Sequence, residues 1–89
     1  MKRIEIKVYG QVQGVFFRQG VKGKAEEFNL TGWVSNEPDG SVKIVAEGEE
    51  KNLQKLFDWC RNGTGRSRVE DIKFAWQETT GEFFSFAIR

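Results

Sequence analysis

The stretch Gly10-Gln11-Val12-Gln13-Gly14-Val15-Phe16-Phe17-Arg18, GQVQGVFFR, separates two segments with different hydrophobic periods. Before it, Ile4, Ile6 and Val8 alternate with Arg3, Glu5 and Lys7, the period-two pattern of a half-buried strand. After it, Phe17, Val21, Ala25 and Phe28 recur at spacings of four, four and three, which puts them on one helical face. A glycine-bracketed loop at that change of period predicts a strand-to-helix junction, and the remaining elements are read outward from it.

Thr31 to Asn36 reads as a second strand around Trp33 and Val34, and Glu37-Pro38-Asp39-Gly40 as a tight turn. Val42, Ile44 and Ala46 alternate with Lys43, Val45 and Glu47 as a third strand, so strands two and three form a hairpin. Glu49 and Glu50 open a second helix, whose apolar face is Leu53, Leu56, Phe57 and Cys60 and whose terminator is Gly63. Ile72, Phe74 and Trp76 alternate as a fourth strand. Beyond the break at Thr79-Thr80-Gly81, Phe84, Phe86 and Ile88 form a short fifth. The order β-α-β-β-α-β plus a short C-terminal strand predicts an α+β fold: a ferredoxin-like split βαβ sandwich, mostly antiparallel, with two helices on one face. Residues 1–89 are expected to form a single domain, since a chain of this length has room for one core.

Composition narrows the chemistry. With 14 basic and 13 acidic residues the formal charge is +1, which argues against a general nucleic-acid or polybasic membrane binder. There is no histidine, which removes imidazole general bases and most zinc sites. Cys60 is the only cysteine, so an internal disulfide is impossible. Its helical spacing with Leu56 and Phe57 marks a buried filler and not a nucleophile. No signal-like segment opens the chain and no apolar run is long enough to span a membrane, so a cytoplasmic protein is expected.

In the inferred topology strands one and two run parallel with another strand between them, which brings the loop after strand one close to Asn36 at the end of strand two. Gly10 and Gly14 allow backbone turns that point N–H groups inward, and such a nest leading into a helix N-terminus is an anion site. Arg18 falls in the first turn of that helix, where the helix dipole disfavours a cation but a bound anion would welcome one. Its guanidinium can grip two oxygens of one phosphate. Asn36 is uncharged and cannot act as a strong base, but its amide can hold a water molecule in line with phosphorus. Phosphoryl transfer rests mostly on positioning and charge neutralisation. One Arg, one nest and one Asn therefore suit an already activated phosphate, such as a carboxylic–phosphoric anhydride, better than a stable monoester.

Gly10 to Arg18 resembles the first signature of the acylphosphatase family. Gly32-Trp33-Val34-Ser35-Asn36-Glu37-Pro38-Asp39-Gly40-Ser41-Val42, followed by Gly48, resembles its second. The resemblance extends over essentially the whole chain. It implies hydrolysis of small acyl phosphates to a carboxylate and inorganic phosphate by direct water attack, with no metal and no cofactor. It also implies a cradle of backbone N–H groups from Gln13, Gly14, Val15, Phe16, Phe17 and Arg18, with Arg18 binding phosphate and Asn36 orienting water. Ser35 departs from the longer residue usual before the family's Asn, and Gly20 and Gly23 loosen the first helix. The partners expected are a small acyl phosphate and phosphate, with no nucleic acid and no membrane, and the chain is expected to be a monomer.

Simpler roles exist for the same residues: a surface ion pair for Arg18, a hairpin cap for Asn36, a turn glycine for Gly14. The competing functional reading is a binding module of the same fold that senses a small anion or engages RNA or a protein. Phe16 and Phe17 lie in a loop and a helix start, not on central strands, so core packing is expected of them in preference to base stacking. Trp33, Trp59 and Trp76 are read as core or core-edge residues. Glu47, Glu49 and Glu50 are read as a solvated helix start.

Overall fold

The computed structural model describes residues 1–14, 16–63 and 67–89. The elements are β1 (Lys2–Gln11), α1 (Phe17–Glu27), β2 (Thr31–Asn36), β3 (Val42–Gly48), α2 (Glu50–Asn62), β4 (Arg68–Gln77) and β5 (Phe86–Ile88). The strands form one sheet in the order β4-β1-β3-β2-β5. β1 and β2 are both antiparallel to β3, so they run parallel to each other on either side of it. β5 adds to the free edge of β2 in parallel, pairing Gly32 with Phe86 and Val34 with Ile88. The α+β split βαβ arrangement expected from the period changes is the one observed.

The core follows from the two periods. Ile4, Ile6 and Val8 of β1, Val34 of β2 and Val42, Ile44 and Ala46 of β3 are buried on one face of the sheet. Phe17, Val21 and Ala25 of α1 and Leu53, Leu56, Phe57 and Cys60 of α2 cover them. α1 stops because Asn29 takes the left-handed conformation (φ 57°). This lets the N–H of Leu30 reach the carbonyl of Ala25 at 2.8 Å and that of Asn29 reach Glu26 at 3.1 Å. These two bonds form a Schellman closure with Asn in the place usual for Gly.

Several expectations change. Gly10 is a strand residue and does not belong to the loop. It stands at a register break between β1 and β4 with φ 129°, where a Cβ would run into the carbonyl oxygen of Arg68. Its hydrogen side chain therefore serves a bulge, not an anion nest. Phe84 is 96% exposed and precedes β5, which is only three residues long. Glu47 is not part of a solvated helix start: it is buried on β3, on the face opposite the helices. Oε1 accepts from Thr79 Oγ1 (2.7 Å) and the N–H of Gly81 (3.0 Å). Oε2 accepts from the N–H (3.0 Å) and Oγ1 (2.8 Å) of Thr80. Arg3 Nη1 adds an ion pair at 3.4 Å. The Thr-Thr-Gly break is thus where the chain fastens to Glu47 on its way from β4 to β5.

Candidate active site

α1 begins without the devices that usually neutralise a helix start. Its N-cap residue, Phe16, makes no side-chain cap hydrogen bond, and no acidic residue lies in the first turn. First-turn N–H groups have no intrahelical acceptor and carry the positive end of the helix dipole. Arg18 adds a full positive charge at that end. Among the described residues no carboxylate pairs with it, so the surface ion pair considered for Arg18 is not made.

The approach to α1 is tightly turned. Gly14 has φ 74° and Phe16 has φ 60°, both left-handed. For Gly this is unrestrictive; for Phe it is an uncommon conformation. Gly14, Phe16, Phe17 and Arg18 line a cavity of about 260 Å³, joined by Val12, Gln19 and Ile88. Four of the residues expected in the cradle therefore share one cavity. Val15, also expected there, lies outside the described residues.

Gln13, also expected in the cradle, is not among the residues lining the cavity, and its side chain turns to the β2–β3 hairpin. Nε2 donates to the carbonyls of Glu37 and Ser41, each at 2.9 Å, and so ties the β1–α1 loop to the β2–β3 turn. That turn is firm. The N–H of Glu37 donates to the Ser41 carbonyl at 2.8 Å, and Asp39 Oδ1 accepts from the Ser41 N–H at 3.0 Å. The Ser41 hydroxyl and amide, with Lys7 Nζ at 3.0 Å, hold the Asp39 carboxyl well below the usual carboxylate range.

Asn36 closes β2 opposite Val42. It shares the face of Val34, on which the helices pack, and it directly precedes Glu37, to which Gln13 is bonded. Its Oδ1 is buried and has no hydrogen-bond partner among the described residues. Asn36 is not one of the residues lining the cavity, so its link to the Arg18 site runs through Gln13 and the turn. The hairpin-cap role considered for Asn36 does not engage this oxygen.

Sequence reasoning missed Ile88 and the cross-link made by Gln13, and misplaced Phe16. Ile88 reaches the cavity because β5 pairs with β2, a long-range choice without a local signal. The Gln13 cross-link joins residues 24 and 28 positions apart. Phe16, expected in the core, is 65% exposed, while its neighbour Phe17 is buried and packs on Trp59 with ring centroids 5.6 Å apart. Trp33 and Trp59 are half-buried, and Trp76 stands at the exposed β4 edge. Burial pushes the Cys60 thiol pKa up, in keeping with a core filler.

A phosphate-sized anion would find Arg18, unpaired helix N–H groups and the turn at Gly14 together. The family model for acylphosphatase matches residues 4–88. The chain belongs to the acylphosphatase family. It is 46% identical over 88 residues to an acylphosphatase of Methylococcus capsulatus, an alignment covering 99% of this chain and 96% of that one. The crystal structure of acylphosphatase from Bacillus subtilis matches with a TM-score of 0.96 at 39% identity, covering 100% of this chain and 99% of that one. An acylphosphatase structure from Coxiella burnetii matches at 0.88 and 38% identity, covering 99% and 92%. As a family member the chain is an enzyme that hydrolyses acyl phosphates. Among the described residues no helix is long and apolar enough to cross a membrane.

Proposed function

We propose that Arg18 and the backbone N–H groups of the 13–18 loop bind the phosphate of a small acyl phosphate, and that Asn36 positions the attacking water. The single observation that carries this reading is Arg18 itself: a cation without a carboxylate partner among the described residues, lining a cavity at an uncapped helix N-terminus. The guanidinium and the N–H groups neutralise the non-bridging oxygens, where charge accumulates as phosphorus is attacked. The Asn36 carboxamide holds the water by a hydrogen bond and fixes its direction. The water oxygen bonds to phosphorus as the bond from phosphorus to the acyl oxygen breaks. The bonding pair leaves with the carboxylate, and the water proton passes to the phosphate or to solvent. A carboxylate is a stable anion at neutral pH, with an ordinary pKa of about 4, so its departure needs no proton donor. That suits a chain without histidine. On this reading the chain acts as a cytoplasmic monomer and a single domain, without cofactor, metal or nucleic acid.

The test is benzoyl phosphate hydrolysis followed by ultraviolet absorbance in EDTA. Arg18→Ala is expected to lose both turnover and phosphate binding. Asn36→Ala is expected to lose turnover while still binding phosphate as a competitive inhibitor does. Near-normal turnover in Asn36→Ala would refute the water-positioning role, and tight phosphate binding by Arg18→Ala would refute the cradle.

A further inference from the structure

The cavity beside Arg18 has two chemically different ends. One is the α1 N-terminus with Gly14 and Arg18. The other is built from Phe16 and Ile88 over Val12 and Phe17. A phosphate group alone is smaller than the space available, about 260 Å³. That volume also falls below the range of about 300–1,000 Å³ typical of larger ligands, so the remainder fits a compact group.

Phe16 is the informative residue. It keeps an aromatic ring 65% exposed on a backbone with φ 60° and ψ 19°, a conformation that favours Gly or Asn. Neither burial nor local backbone preference accounts for Phe at this position. Strain of this kind gathers at active sites and ligand clamps. Ile88, 38% exposed, is held against the same space by the β2–β5 pairing. Among the described residues, Arg18 is the only charged side chain lining the cavity, and Gln19 the only other polar one. With Arg18 committed to phosphate, a second charge on the substrate would lack a partner.

We infer that Phe16 and Ile88 form an acyl subsite, which selects acyl phosphates carrying an apolar, compact acyl group such as an aryl ring over those with small polar or charged acyl groups. This rests on the phosphate end lying at Arg18, as proposed above. The apolar wall shields the acyl group from water, and the gain scales with the apolar area covered.

The experiment compares benzoyl phosphate with acetyl phosphate in the wild type, Phe16→Asn and Ile88→Ala. Asn accepts the left-handed backbone, so Phe16→Asn removes the ring without forcing the loop. The wild-type kcat/KM ratio, benzoyl over acetyl, is expected to be about tenfold or more, within the discrimination an apolar pocket provides. Phe16→Asn should lower that ratio about tenfold, chiefly through KM for the aryl substrate, and Ile88→Ala should lower it less. In parallel, Kd values are measured for two non-hydrolysable phosphonates, benzoylmethylphosphonate and acetonylphosphonate. The wild type should prefer the aryl compound, and Phe16→Asn should lose the preference. An unchanged ratio in both variants, with both substrates hydrolysed, overturns the subsite and leaves the phosphate site standing. If the wild type hydrolyses neither substrate, the catalytic reading fails, and the phosphonate pair still decides whether the apolar wall binds.

Discussion

Replacing Glu47 by Gln isolates one buried charge and predicts a large loss of stability from a change of a single atom type. The carboxylate faces four donors from the 79–81 segment as well as the Arg3 guanidinium. Each oxygen accepts one backbone N–H, from Gly81 or from Thr80. A carboxamide must turn its NH2 toward one of them, leaving a buried N–H without an acceptor at a cost of about 1–3 kcal/mol. The other bonds also lose their charge assistance. A second route gives a similar magnitude. Burial alone would raise the Glu47 pKa, but the hydrogen bonds from Thr80, Thr79 and Gly81 outweigh it and hold the group at about 2, against an ordinary 4.5. That difference corresponds to about 3 kcal/mol. Because the folded pKa is the lower one, this stability is fully present above about pH 4.5 and is lost as the pH falls through about 2. Urea denaturation at pH 7 should therefore show Glu47→Gln destabilised by about 3 kcal/mol, with Tm lower by roughly 12–24 °C for a domain of this size. Repeated at falling pH, the gap between wild type and variant should close to under about 1 kcal/mol by pH 2. A variant within about 1 kcal/mol of wild type at pH 7, or a gap that stays constant to pH 2, would refute the clasp. The site would register its loss too, since the 79–81 segment leads into β5 and β5 carries Ile88.

Further outcomes are expected at three positions. Gly23 is exposed inside α1 and a Cβ there would meet nothing within 4 Å, so Gly23→Ala should stabilise by about 1 kcal/mol and raise Tm by roughly 4–8 °C in a thermal melt. Gln13→Ala should cost about 1 kcal/mol or less in stability yet lower kcat/KM about tenfold, because the cradle loses its tie to the Asn36 hairpin. Gln13→Glu should be worse than Gln13→Ala, since it turns carboxylate oxygens toward two carbonyls; equal kinetics for the two variants would argue against the cross-link. Cys60 is buried and its thiol stays protonated well above neutral pH, so native protein should resist a thiol reagent such as DTNB and react only as fast as it unfolds.

The sequence by itself determined the order of elements and the inward face of each. Alternation and helical spacing are local: Ile4, Ile6 and Val8, or Leu53, Leu56, Phe57 and Cys60, declare a common face without reference to the rest of the chain. It also determined that the Arg18 loop and Asn36 lie at one end of the sheet, because two parallel strands flanking a third leave no other arrangement. Only the tertiary structure decided what depends on which strands become neighbours. The Gly10 bulge is set by the approach of β4. Glu47 is buried because the chain returns across β3 to reach the β2 edge. Phe16 and Phe17, adjacent and identical in type, part at the helix start: a left-handed backbone leaves one ring in the cavity wall and the helical face carries the other into the core. Periodicity specifies direction within an element, whereas register, crossovers and cavities arise from contacts between residues far apart in sequence, each of which closes only when the others have formed.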